Sequence, residues 1–229
     1  RQRQMCIRDS KYAEFCLMFR ILHSSRFKTV GDEQSIIERY FNLSIESGNR
    51  IRAGLSEAAQ KAMLTIGNAA LRNPANNSLR EALASGELSS DSFNKELMHF
   101  IYRILFLFII EDRNLVYDGD SEVIMRWKNI YSRYYAASRF RTLSELSYVR
   151  DSRHSDMWCG LMETFRLFED EDFGSRLGIK PLGGMLFDCE TLHWLKQCVI
   201  SNEAMFDAFR ALNVFVDEKG QTVKINYSS

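Results

Sequence analysis

Three side chains late in the chain, Cys189, His193 and Cys198, are of metal-ligating type. Their spacing lacks the closely paired ligands of a zinc site and no fourth ligand stands beside them, so packed thiols and a core or surface histidine are expected. The glycine-rich stretch LGIKPLGGMLFD (177–188) contains neither GxGxxG nor GxxxxGK[ST], and reads as a tight loop instead of a phosphate cradle. Glu169, Asp170, Glu171 and Asp172 form an acidic run of the kind that usually faces solvent. The four histidines (23, 99, 154 and 193) are too scattered for a triad, and no nucleophile elbow or HExxH signature occurs. The residues therefore assign no catalytic, cofactor-binding or metal-binding side chain.

One charge pattern has chemical content. Residues 126–153 carry Arg126, Lys128, Arg133, Arg139, Arg141, Arg150 and Arg153 against two acids, Glu145 and Asp151. Trp127, Tyr131, Tyr134, Tyr135, Phe140 and Tyr148 interleave with them. Bases among aromatics suit phosphate contact with stacking, which makes these seven the candidate DNA-binding residues. The alternative is an amphipathic helix pair whose aromatics are core and whose arginines pair with the acidic stretch 154–190.

The elements that must position this segment read mainly as helices. Arg1–Ser10 has no useful period and resembles translated sequencing-adapter sequence, the alternative being a frayed tail. Lys11–Ser24 carries Phe15, Met18, Phe19 and Leu22 at helical spacing, and Arg26–Asp32 reads as a loop. Glu33–Leu71 is helical in pattern, and its glycines predict two or three helices with a break near Gly48–Gly54. Asn73-Pro74 ends that run, and a short helix over Ser78–Ser85 stops at Gly86.

Ser89 caps a helix running to Glu111-Asp112 that is apolar nearly all round, which marks a core helix. Its uninterrupted apolar run, Ile104–Ile110, is far short of the roughly 20 residues a membrane span needs. Arg103 is its one strong charge. It is expected in a buried orienting ion pair, with Glu111 and Asp112 as candidates only through another subdomain or a chain bend, or else in contact with DNA. Further helices are expected at Ser121–Tyr135, Ser138–Val149, Asp156–Glu169 and Asn202–Leu212. Phe173–Asp188 reads as a long glycine-rich loop with short strand pieces, and the tail from Asn213 as a β-hairpin around Lys219-Gly220. The fold class is thus mainly α: a multi-helical bundle with a buried central apolar helix, a glycine-rich loop and a small C-terminal β-hairpin.

The 229 residues are 45% hydrophobic and 26% charged, which excludes a disordered chain. Thirty basic and thirty acidic side chains exclude attachment to nucleic acid by bulk charge alone. Five scattered cysteines without a CxxC pair point to reduced thiols and a cytoplasmic setting. No signal peptide opens the chain, and no membrane partner is expected.

From about Leu55 to Tyr227 the chain resembles the helical region ahead of the methyltransferase domain in type IIG restriction-modification enzymes and related bacterial N6-adenine DNA methyltransferases. The most specific piece is Phe100-Ile-Tyr-Arg-Ile-Leu-Phe-Leu-Phe-Ile-Ile-Glu-Asp-Arg113, where Ile110 replaces a more usual small residue. Gly67-Asn68, Asn73-Pro74-Ala75-Asn76, Leu79–Leu83, His154–Trp158, Leu182–Asp188, Leu195, Ser201-Asn202 and Val223–Tyr227 follow in the same order. His23–Phe27 and Ser47-Gly48 fit more loosely.

The resemblance implies a cytoplasmic bacterial defence protein. Here 11–54 would be an N-terminal helical segment, 55–213 a helical connector, and 214–229 a hairpin leading to a methyltransferase domain. In that family S-adenosylmethionine and an Asn-Pro-Pro-aromatic motif belong to the catalytic domain, and Mg2+ to a nuclease where one is present. Asn73-Pro74-Ala75-Asn76 lacks the second proline and the aromatic, and no PD…(D/E)xK pattern is found. The implied role is a non-catalytic fragment that positions DNA and the methyltransferase domain. The alternatives are a free-standing helical protein-interaction module or an unrecognised nuclease.

Overall fold

The computed structural model describes residues 12–28, 35–146, 153–216, 222–225 and 227. The expectations for Arg1–Ser10, for most of the 26–32 loop, for 147–149 and for the turn at Lys219-Gly220 lie outside them. The chain divides into two compact units, Arg1–Ala53 and Gly54–Ser229.

Helices dominate. They are α1 (Tyr12–Leu22), α2 (Ile36–Arg72), α3 (Asn77–Ser85), α4 (Ser90–Asp112), α5 (Glu122–Tyr134), α6 (Ala137–Leu143), α7 (Asp156–Glu169), α8 (Glu171–Gly174) and α9 (Asn202–Asn213). Two short strands, β1 (Val214–Val216) and β2 (Thr222–Lys224), pair antiparallel with Val214 opposite Lys224. Among the described residues no helix is long and apolar enough to cross a membrane.

Two sequence expectations need correction. The break near Gly48–Gly54 is absent, because α2 is one 37-residue helix. A glycine costs a helix about 1 kcal/mol, which weakens it without ending it, and both prolines lie elsewhere. The stretch 173–188 holds no strand pieces. It opens on the end of α8 and otherwise holds single 3-10 turns at Ser175–Leu177 and Met185–Phe187, separated by irregular backbone.

Start and stop chemistry explains many of the boundaries. Ser89, Ser121 and Ser201 each accept a backbone N–H of the first turn, at α4, α5 and α9. Gly86 ends α3 at φ 81°, the left-handed cap that favours glycine. The core of the second unit is built around α4, whose Phe100, Ile104, Leu107 and Phe108 are fully buried. Phe100 packs on Trp158 and Phe165 of α7, and Phe108 on Phe209 of α9 and on Tyr227. Tyr102 and Ile109 mark the side of α4 that reaches the surface.

Gly178 is held by geometry as well as conformation. Its φ is +64°, and a Cβ there would lie 2.3 Å from ring carbons of Trp127. Gly183 has open space around it. Gly178→Ala is therefore expected to cost about 2 kcal/mol or more in urea unfolding, from backbone strain plus displacement of Trp127, whereas Gly183→Ala stays within about 0.5 kcal/mol.

Candidate functional site

The polar groups of α4 organise the irregular backbone around it. Glu96, Arg103 and Glu111 stand 7 and 8 residues apart, so they share one side of the helix over about 22 Å. Glu96 accepts the backbone N–H groups of Trp194 and Leu195 at 3.0 and 2.9 Å, which caps the 3-10 turn at Leu195–Gln197. Burial pushes its carboxyl above the ordinary value, and those two N–H donors oppose the shift.

Arg103 is fully buried and forms a salt bridge with Glu169, whose side chain is 7% exposed. Its Nε donates to the Leu186 carbonyl at 2.6 Å, and Nη2 donates to the Asp188 carbonyl at 2.7 Å and to Thr191 Oγ1 at 2.6 Å. The rings of Phe165 and Phe187 lie against the guanidinium, their centroids 5.4 and 5.2 Å away. Lys196 Nζ reaches the other Glu169 oxygen at 2.8 Å. Burial lowers the Arg103 pKa and Glu169 raises it again. A guanidinium with so many acceptors stays charged.

This overturns two readings. The partner of Arg103 is Glu169 instead of Glu111 or Asp112, and Glu169 does not belong to a solvated acidic face. Glu111 and Asp112 are engaged elsewhere. Glu111 accepts the Tyr131 hydroxyl at 2.7 Å and the N–H groups of Ala137 and Ser138 at 2.8 Å each. It thereby caps α6, whose own N-cap residue, Ala136, provides no side-chain hydrogen bond. Asp112 pairs with Arg141 at 3.2 Å.

The seven basic candidates separate into different roles. Arg126, Lys128 and Arg133 are exposed on α5. Arg139 is half-buried, its guanidinium 4.7 Å from the centre of the Phe140 ring, and its Nε has no partner among the described residues. Arg141 is structural: besides Asp112 it holds Asn213 Oδ1 at 2.9 Å and stacks near Phe108 and Tyr227. Arg153 is exposed, and Arg150 lies outside the described residues. Of the interleaved aromatics, Tyr131 and Phe140 are core and Tyr134 is exposed.

The metal-type side chains do not converge. Cys189 and His193 are exposed and each lies near Glu190, at 3.8 and 3.9 Å. Cys198 is buried, its thiol donating to the Trp194 carbonyl at 3.3 Å, and burial pushes its pKa up to about 11. Among the described residues no group of three or more His, Cys, Asp or Glu side chains is placed to hold a metal ion.

Residues that carried no chemistry in the sequence turn out to be fasteners. Asn76 donates to the Ala70 and Val199 carbonyls at 2.8 and 3.1 Å and accepts the Val199 N–H at 2.7 Å. Asn73 donates to the same Val199 carbonyl at 2.9 Å. Arg80 covers the last carbonyls of the α2 end, at Leu71 and Asn73. Asn202 accepts the Met157 N–H at 3.1 Å and donates to Asp156 at 2.7 Å, while its own N–H meets the His154 carbonyl at 2.7 Å.

The surface also holds an open apolar groove of about 660 Å³ whose lining includes Met63, Leu64, Leu71, Leu83, Phe93 and Leu97. No family model, curated protein or solved structure matches the chain.

Two outcomes are expected. Glu169→Ala leaves Arg103 buried without its carboxylate and should cost about 3–5 kcal/mol in urea unfolding. Glu111 gives a pH signature. Burial raises its carboxyl above the ordinary 4.5, with hydrogen bonds from Tyr131, Ser138 and Ala137 opposing. The folded chain thus holds this proton more tightly than the unfolded one, and that contribution is full below 4.5 and lost as pH rises through the elevated value. Unfolding free energies measured from about pH 4 upward should show wild type losing stability relative to Glu111→Gln across that window.

Proposed function

We propose that the chain is the helical connector and DNA-positioning region of a bacterial site-specific N6-adenine DNA methyltransferase or type IIG restriction-modification protein, and that it is non-catalytic by itself. The observation that carries this reading is which residues meet. Two pairs of the sequence pieces behind the resemblance are distant in the chain yet hydrogen-bonded to each other, and a third piece is fastened just ahead of Ser201-Asn202. Asn73 and Asn76 fasten Val199, three residues before Asn202. Asp156 and Met157 meet Asn202. Arg103 grips the carbonyls of Leu186 and Asp188.

These contacts suit a rigid bracket, because dense interiors with satisfied polar clasps transmit displacement instead of absorbing it. What supports placing S-adenosylmethionine elsewhere is the chemistry of the glycine-rich segment among the described residues. The glycine-rich segment lacks the cofactor fingerprint, Trp127 lies against Gly178, and Arg103 occupies two of its carbonyls. The methyl-transfer chemistry and the Asn-Pro-Pro-aromatic motif would belong to a catalytic domain that the hairpin leads into. A bacterial cytoplasmic setting belongs to the same proposal.

The apolar groove lined by Leu64, Leu71 and Phe93 favours a second reading, a helical protein-interaction module. DNA binding separates the two. The exposed bases Arg126, Lys128 and Arg133 are the right probes, since removing Arg141 would unfasten α4 from α9. In anisotropy titrations with random duplex, the slope of log affinity against log salt should fall by about 0.9 for each phosphate that Arg126→Ala/Lys128→Ala/Arg133→Ala no longer neutralises. An unchanged slope, or no binding by wild type, favours the interaction module.

A further inference from the structure

The helix α5 is packed unlike its neighbours: of its thirteen residues only Tyr131 is fully buried. Ile124, Trp127 and Ile130 supply the rest of a narrow inner side, each half-buried. At 100° per residue, Glu122, Arg126, Asn129 and Arg133 fall within an arc of about 60° on the opposite side. All four are exposed, and Met125 beside them is 54% exposed. The side chains of Arg126 and Asn129 have no hydrogen-bond or ion-pair partner among the described residues.

That arc has a specific chemistry. Guanidinium groups match the O6/N7 edge of guanine, a carboxamide matches the N6/N7 edge of adenine, and a carboxylate accepts from cytosine N4. The major groove is about 12 Å wide and admits a helix of about 10–12 Å diameter. Arg126, Lys128 and Arg133 outweigh Glu122 on this helix, so its charge complements a phosphate-lined groove. The apolar Met125 suits contact with a thymine methyl.

We propose that α5 enters the major groove of duplex DNA and reads bases there, with Asn129 recognising an adenine and Arg126, about one turn of α5 away, a neighbouring guanine. This rests on the DNA-positioning reading above and adds sequence discrimination to it. Trp127 against Gly178 and Tyr131 on Glu111 fix the roll of the helix, and with it the direction of the arc.

The test is selection from a pool of randomised duplexes by the full chain, followed by sequencing of the bound fraction. Wild type should enrich a short motif containing adenine. Asn129→Ala should lose at least about tenfold of the preference at the adenine position alone, and Arg126→Ala the preference at a neighbouring guanine. Both positions are exposed, so far-UV circular dichroism should remain that of wild type. Salt-dependent binding without enrichment, or a motif that survives Asn129→Ala, overturns base reading while leaving DNA positioning intact. Absence of binding by wild type overturns both.

Discussion

A guanidinium in the middle of an apolar helix sets the terms for the second unit. An unpaired buried charge is too costly for a fold with a net stability of about 5–15 kcal/mol. Arg103 is therefore tolerated only because Glu169, two carbonyls and the Thr191 hydroxyl converge on it. Convergence dictates the shape of what surrounds it. The carbonyls of Leu186 and Asp188 reach it from the junction between two 3-10 turns, Met185–Phe187 and Cys189–Leu192.

The same helix solves two more terminus problems. Helix starts expose N–H groups that need acceptors, and a local Ser, Thr, Asp or Asn normally supplies one. The start of α6 has no such residue, and Glu111 reaches it from the end of α4. The turn at Leu195–Gln197 is served by Glu96. Asn202 does the equivalent for α7 from the start of α9, where Ser155 makes no side-chain cap. A remote cap differs from a local one because it also fixes the position of one element against another. These side chains are simultaneously caps and rivets.

That distinction explains what could be read from the sequence. Local chemistry was legible: the serine cap of α4, the glycine stop after α3, and α7 to the residue. The identity of α4 as a core helix followed from its apolar pattern. What escaped was every choice of long-range partner. Glu169 lies in an acidic run that ends in the exposed Glu171 and Asp172, and nothing local distinguishes the carboxylate that turns inward to Arg103. Arg141 looked like its basic neighbours, yet it is held by Asp112 and Asn213. One signal was available and unused: Glu96, Arg103 and Glu111, at 7- and 8-residue spacing, fall on one side of a helix whose middle is apolar.

Buried ionic clasps are not an efficient way to gain stability, since apolar side chains of similar volume often do as well or better. Their usefulness is in specificity. An apolar surface accepts many packings of nearly equal energy, whereas Arg103 accepts one set of four partners and Glu111 one set of three. A chain that must hold one arrangement under load gains from such selectivity, because sliding any element by one residue leaves a charge stranded. The contrast with α5 follows. Anchored by little more than Tyr131 and Trp127, it presents its polar arc outward from a unit whose interior is fully committed. Rigidity in the body and polar exposure on a single fixed-roll helix are complementary: base discrimination needs side chains held in register by a support that does not yield when phosphate contacts pull on it.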